Sequence, residues 1–384
     1  MSKTRGTWSS KDLAFYLEDR MQTLFRGVTS LIDAGRAACV HADRDYLRGR
    51  HCHCPEDLPS HLLHSEGVRE GCDMVIDYGS NVRHPDRIQT PVKMIRSMAT
   101  AIGAGDTVHV KTDNLPDFIT HVLPCISGPI VLVTGDSDAG SVRRFEHLLD
   151  HEAIGHWFAQ NCDVAYRHSK LTRLPIGIDN PVYTKLEKRL GFVLMMALGK
   201  TEMDWRARRN ELGDQALLQR IGADMGTNRE RPIRALCTFH NNQRLVKPDL
   251  RDLPDRLEAC EVLRDNPVCD FMPRRLPQAD CWRIHTHYAF EVCPRGYGLD
   301  CFRTWECLFL ETIPIVKTSP LDPLYRDEGF PVVIVESFRE ITWDNLKRWQ
   351  EEMQPLFTDA MRRRLTTGYW LDRIKQVSGS LQKR

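Results

Sequence analysis

The 384 residues are too many for one ordinary hydrophobic core and suit two α/β domains of roughly 150 to 200 residues each. Hydrophobic residues make up 41% and charged residues 27%, which excludes a disordered chain. The 53 Lys plus Arg nearly cancel the 52 Asp plus Glu, which excludes a global field that would draw the protein to nucleic acid or an anionic membrane.

In chain order, residues 8 to 35 read as a helix, with Leu13, Leu17, Met21, Leu24, Phe25 and Val28 at three- and four-residue spacing. The opening residues to Arg20 are polar and charged, without the apolar core of a signal peptide. Phe192 to Leu198, the longest strongly apolar stretch, is too short to cross a bilayer. A cytoplasmic protein with no integral membrane segment is expected. Thirteen cysteines would suggest disulfides in an exported chain, but beside apolar runs they read as free thiols in a reducing compartment. His51, Cys52, His53 and Cys54, with His61, His64 and Cys72 nearby, have ligand chemistry but not the spacing of a known zinc module. A histidine-rich solvent loop is expected there.

Strand-like runs follow at 74–77, 107–110 and 130–134, with helical stretches at 91–102, 115–123 and 141–150. Short apolar runs at 157–159 and 174–178 continue the pattern, and the charged, helical stretch 180–230 reads as a bridge. A second alternation gives strands at 233–239, 288–292, 313–316 and 331–335, with helices at 249–263 and 300–311. Two tail helices are expected at 342–353 and 358–377. Alternating strands and helices predict parallel sheets, arranged as two β/α halves or as one long sheet.

The stretch from Cys293 to Glu306 carries the most chemistry. Gly296 and Gly298 let backbone approach a ligand closely, and the helix that follows offers unbonded N–H groups and a positive dipole end. That combination suits a diphosphate. Arg303 lies one turn into the helix, where a guanidinium reaches phosphates bidentately, and Glu306 lies three residues on along the same face. An ordinary turn with a surface ion pair is the competing reading.

The segment FEVCPRGYGLDCFRTWECLFLETIPIVKTSPLDPLY followed by PVVIVESF resembles the exostosin-like glycosyltransferases, family GT47 and its microbial and viral relatives. The likeness extends to IVLVTGDSD, WFAQN, LPIGID and TTGYWLDRI, about two thirds of the chain. It implies a GT-B fold, two Rossmann-like α/β domains facing a central cleft. Its boundaries would be an acceptor-side domain over 1–180 (1–68 a helical and polar lead-in), a nucleotide-sugar domain over 181–345, and helices 346–384 packing back on the first. The activity implied is inverting transfer from a nucleoside diphosphate sugar, a UDP-sugar, to a hydroxyl of a glycan or glycoprotein, with no metal or other cofactor required. Arg295, Gly296, Tyr297, Gly298 and Arg303 would hold the donor, with Glu306 on ribose or sugar hydroxyls. Arg244, after the first strand of the second half, and Lys317 and Ser319, after IPIV, would add to that site, although 317–319 is equally a plain turn. Glu311-Thr312 departs from the family, where a small residue and glycine often precede IPIV.

Inverting transfer needs a general base on the acceptor hydroxyl. Asp138, then Asp136, then Asp77 are the candidates, each just beyond a strand, although an aspartate there can equally cap a helix. Trp157 and Asn161 are candidate acceptor contacts. Asp136-Ser137-Asp138 also reads as the DxD of the GT-A fold, which would bind a divalent metal. A non-catalytic nucleotide- or carbohydrate-binding protein is the alternative of another class.

Overall fold

The structure, a computed structural model, describes residues 62–76, 99–100, 102–178, 214–239, 254–272, 276 and 278–383. The N-terminal helical stretch, the His51–Cys54 cluster, Asp77 and Arg244 lie outside the described residues.

Five parallel strands, β1 (Met74–Ile76), β2 (Thr107–Lys111), β3 (Ile130–Gly135), β4 (Ile154–Ala159) and β5 (Leu171–Arg173), pair in sequential order. Every residue of β3 is buried, as its unbroken run of apolar and β-branched residues predicts for a strand covered on both faces. The second sheet holds β6 (Ala235–Cys237), β7 (Cys269–Phe271), β8 (Phe290–Val292), β9 (Ile313–Lys317) and β10 (Val333–Val335), again parallel. Its order is β7-β6-β8-β9-β10, so the winding reverses between β6 and β8. The α/β class with two parallel sheets is thus the one expected from the sequence, and the second sheet has the winding reversal of a Rossmann-like domain.

Among the described residues the expected helix at 115–123 is realised as consecutive short helical turns over 115–125, and the longer helices are α1 (Ser65–Glu70), α2 (Asp214–Ala223), α3 (Pro254–Leu263), α4 (Gln278–His285), α5 (Phe302–Phe309), α6 (Asp322–Asp327), α7 (Trp343–Met353), α8 (Asp359–Arg364) and α9 (Thr367–Gln382). Thr342, Thr358 and Thr366 cap α7, α8 and α9, each accepting a backbone N–H with its side chain. The cap at Thr366 divides the expected 358–377 helix in two. The expected helix at 141–150 is instead a series of turns ending in a short 3-10 segment at Glu146–Leu149. β7, α1, α4 and α6 have no counterpart in the expected elements, and the last strand of the first sheet is Leu171–Arg173 rather than the apolar run 174–178.

A sheet wound in one direction by right-handed crossovers keeps its connections on one face and needs cover for the other. Helix α9 packs across β2, β3 and β4. A Cβ at Gly155 of β4 would stand 2.4 Å from Leu381, and Ser378 Oγ donates to the Gly105 carbonyl at 2.6 Å. Just before α9, Leu63 N–H donates to the Leu365 carbonyl at 2.7 Å, tying the start of α1 to the end of the chain. No helix among the described residues is long and apolar enough to cross a membrane.

Glu311 takes φ 53°, a left-handed conformation for which glycine is the default. Its carbonyl accepts from Asn228 at 2.8 Å and its carboxylate pairs with Arg362, which hold the turn into β9 in place of glycine.

Candidate active site

Ligands of doubly wound sheets sit at the carboxyl ends of the strands where the winding reverses. Here that point lies between β6 and β8, and the loop leaving β8 is Cys293–Cys301, ending at the N-terminus of α5. Gly296, Tyr297, Gly298, Asp300, Cys301 and Phe302 form one wall of a cavity of about 460 Å³. The facing wall comes from the carboxyl ends of the first sheet: Asp136, Ser137 and Asp138 after β3, and Gln160 and Asn161 after β4. His64 and Ser65 at the start of α1 complete it.

Gly298 leaves room for the Asn161 carboxamide, which a Cβ there would meet at 2.9 Å. Tyr297 and Phe302 line the cavity and remain 45% and 40% exposed.

The guanidinium of Arg295 does not enter the cavity wall. It forks onto Asp255, which is buried, with Nη2 to Oδ1 at 2.8 Å and Nε to Oδ2. The arginine on the wall is instead Arg256, from the first turn of α3. Its Nε donates to the Arg295 carbonyl at 3.0 Å, and its Nη2 would lie 3.2 Å from a Cβ at Gly296. Burial lowers its pKa, so the charge there is held against desolvation. A cation in the first turn of a helix also opposes the helix dipole. That misfit was the signal available in the sequence.

Arg303 stands behind the wall. Its Nε donates to Thr238 Oγ1 at 2.9 Å and lies 3.1 Å from Glu291 Oε1. Glu291 is fully buried, accepts also from Thr238, and contacts His285 Nε2 at 2.7 Å. Burial opposes charge on both members of that pair, but their mutual attraction wins. The imidazole is pushed up to about 10, and the carboxyl stays below its ordinary range, helped by Arg303. Ligand-type atoms of His285, Glu291 and Cys307 lie within 4.8 Å of one another, yet Arg303 already supplies the neighbouring positive charge. Glu291 had no part in the sequence reading, since a glutamate inside an apolar strand gives no periodic signal.

Glu306 is buried at 8% exposure on α5 and, among the described residues, is not part of the cavity wall. Lys317 pairs with Glu258 of α3. The N–H of Ser319 donates to Asp322 Oδ1 at 2.9 Å and its hydroxyl accepts from Leu321 at 3.2 Å, in the turn that leads into α6.

Trp157 corrects an expectation. It is fully buried in the first sheet's core, with Nε1 donating to Thr134 Oγ1 at 2.9 Å, and cannot touch an acceptor. Asn161 does lie on the wall, but its carboxamide bonds the Ser137 carbonyl and the Asp300 N–H, both at 2.8 Å. Asp136 takes φ 55°, and its carboxylate meets Arg69 Nη1 at 2.9 Å. Asp138, two residues further, is exposed on the wall.

No family model and no curated protein matches this chain. Among solved structures it is similar to an α,α-trehalose-phosphate synthase (UDP-forming) from Burkholderia xenovorans in complex with glucose-6-phosphate. The identity is 10% and the TM-score 0.35, over 75% of this chain and 77% of that one. For the α,α-trehalose 6-phosphate synthase of Burkholderia multivorans the values are 9% and 0.38, over 88% and 84%. For a trehalose-6-phosphate protein from E. coli bound with UDP-2-fluoro glucose they are 10% and 0.33, over 77% and 78%. Likeness this distant carries nothing about chemistry, which rests on the residues above.

Proposed function

We propose that this chain is a GT-B glycosyltransferase that moves a sugar from a UDP-sugar to a hydroxyl of a glycan or glycoprotein, with inversion. The observation that carries it is the placement of the Gly296–Cys301 loop. It sits at the reversal point of a doubly wound sheet, opens a helix, and faces two aspartates across one cavity. In this reading the diphosphate lies against Gly296, Gly298 and the first N–H groups of α5, with Arg256 beside it and Arg303 behind. These groups stabilise the charge that develops on the departing diphosphate. Asp138, exposed on the cavity wall, removes the proton of the attacking hydroxyl, while Asp136 pairs with Arg69. The same Arg69 contact disfavours a divalent ion at Asp136-Ser137-Asp138, so transfer proceeds without metal. Tyr297 and Phe302 supply ring faces for the nucleoside or a sugar.

Ligand-induced stabilisation tests this directly. Saturation at 100 times the dissociation constant adds about 2.7 kcal/mol, which for domains of this size raises Tm by roughly 2 to 4 °C per kcal/mol. UDP should therefore shift the melting temperature clearly, and UMP less at equal concentration. No shift with any nucleoside diphosphate or nucleotide sugar would overturn the reading.

A further inference from the structure

We propose that Asn161 and Asp300 are positioning residues for transfer, fixing the register of the donor loop against the carboxyl edge of the first sheet. Each belongs to one side of the cavity, and each is tied to the other side. Asn161 takes φ 48°, a left-handed conformation that asparagine tolerates better than most residues. From there its Nδ2 donates to the Ser137 carbonyl and its Oδ1 accepts from the Asp300 N–H. One side chain thus spans from the residue beside Asp138 to the loop of Gly296 and Gly298, and the missing Cβ of Gly298 admits it.

Asp300 returns the tie. Its Oδ2 accepts from the Ile176 N–H of the first domain at 3.0 Å. Its Oδ1 accepts from Trp305 Nε1 at 2.9 Å and from the Cys301 N–H at 2.8 Å. Trp305 is anchored in the second domain's core, edge-on to Phe330 at 5.2 Å. The carboxylate therefore links a packed indole on one side to the backbone of the other domain. A buried charge contributes little net stability, but it penalises every arrangement in which its donors are missing. A shift of about 1 Å between the loops is enough to slow a reaction by roughly 100-fold.

The bridge is also sensitive to acid. Burial lifts the Asp300 carboxyl to about 6, and a proton on it removes an acceptor site from a group that receives three N–H donors. Tyr325 of α6 and Cys301 of its own loop are the titratable groups beside it, and burial keeps both protonated across neutral pH. Asp136, Asp138, His64 and Arg256 face the same cavity.

The kinetic half of this proposal rests on the glycosyltransferase reading, and the structural half on geometry alone, so both are measured. Amide hydrogen exchange, UDP affinity and transfer kinetics are compared for the full wild-type chain, Asn161→Ala and Asp300→Asn between pH 5 and 8. The Asp300 amide in Asn161→Ala and the Ile176 amide in Asp300→Asn should exchange at least about tenfold faster, while Val131 and Val133 of β3 stay protected. Both variants should lose at least about tenfold in kcat, with UDP affinity within about threefold. Wild-type kcat should fall on the acid side of about pH 6, the value of the Asp300 carboxyl, and Asp300→Asn should lose that limb. Unaccelerated amides overturn the bridge. So does a parallel fall of kcat and UDP affinity with the wild-type pH profile retained. If wild type neither binds UDP nor transfers sugar, the functional reading fails, and exchange alone still decides whether the two residues set the domain register.

Discussion

Arg69 and Asp136 meet at 2.9 Å, both side chains about 85% shielded, and this contact gives the two aspartates, of which the sequence placed Asp138 first, different surroundings. One carboxylate is fixed by a guanidinium on α1; the other stands exposed on the cavity wall. Asp138→Asn should therefore lower kcat by at least about 100-fold, the usual lower range for a lost general base. Asp136→Asn should keep most activity and instead lower stability by about 1 to 3 kcal/mol, because Arg69 loses its partner. Equal kinetic loss in both variants, or abolition by EDTA with rescue by Mn²⁺, would show that the pair acts together on a metal.

The two adjacent arginines should part in the same way. Arg256→Ala removes the wall cation and should weaken UDP binding by about 10- to 100-fold, the range for a hydrogen bond to a charged group. Arg295→Ala leaves Asp255 buried without its fork. The loss of an ion-pair partner from a buried site reaches about 3 to 5 kcal/mol; with Arg295 30% exposed, about 1 to 3 kcal/mol of stability is expected here. UDP affinity of the folded protein should hardly change. Isothermal titration and urea melts on both variants distinguish the roles; a reversed pattern would return Arg295 to the site.

Alkaline titration should reveal the buried pair. His285 has its pKa raised to about 10 in the folded chain against 6.5 unfolded, so its contribution to stability is complete below about pH 6.5 and is lost as pH rises towards 10. Glu291 has its pKa lowered, so its contribution is present above its unfolded value of 4.5 and is lost as pH falls below it. Melting temperature should therefore decline between pH 6.5 and 10, and His285→Gln should flatten that decline. An identical slope in both proteins would mean that the pair does not carry the charge described.

Glu311 offers a test of backbone strain. Replacing it with glycine relieves the left-handed conformation by about 1 kcal/mol and removes a contact with the half-exposed Arg362 worth about 0 to 1 kcal/mol. Glu311→Gly should be neutral or slightly stabilising, whereas Glu311→Ala keeps the strain, loses the contact and should destabilise. Thermal melts showing alanine better than glycine would contradict the assignment of strain.

The glycine loop was legible because glycines constrain backbone directly, and β3 was legible because its buried run has no polar interruption. What failed was direction and partnership. Arg295 lies in the loop as expected, but only the fold shows Asp255 beside it and Arg256 turned inward. Trp157 begins the stretch of β4 in which successive residues are all buried, so exposure could not be read from its neighbours. β7 escaped notice because Cys269-Asp270-Phe271 is short and polar at its centre; Arg234, just before β6, satisfies Asp270 with bonds of 2.5 and 2.6 Å. The 141–150 stretch had the helical pattern without the capping needed to realise it. Arg143 N–H donates to Asp163 Oδ1 across the loop instead.

The seating of α9 on β2, β3 and β4 has a consequence for how the protein is made. The sheet is complete in sequence at Arg173, but the helix that covers it spans Thr367–Gln382. At about 5 to 20 residues per second, ribosomes take on the order of 10 to 40 s to make the intervening chain. During that interval the strands have emerged with an apolar face uncovered, and the second domain is synthesised while the first still waits. The first domain to appear is thus the last to close, and a chain stopped before Thr367 would release it as a chaperone substrate.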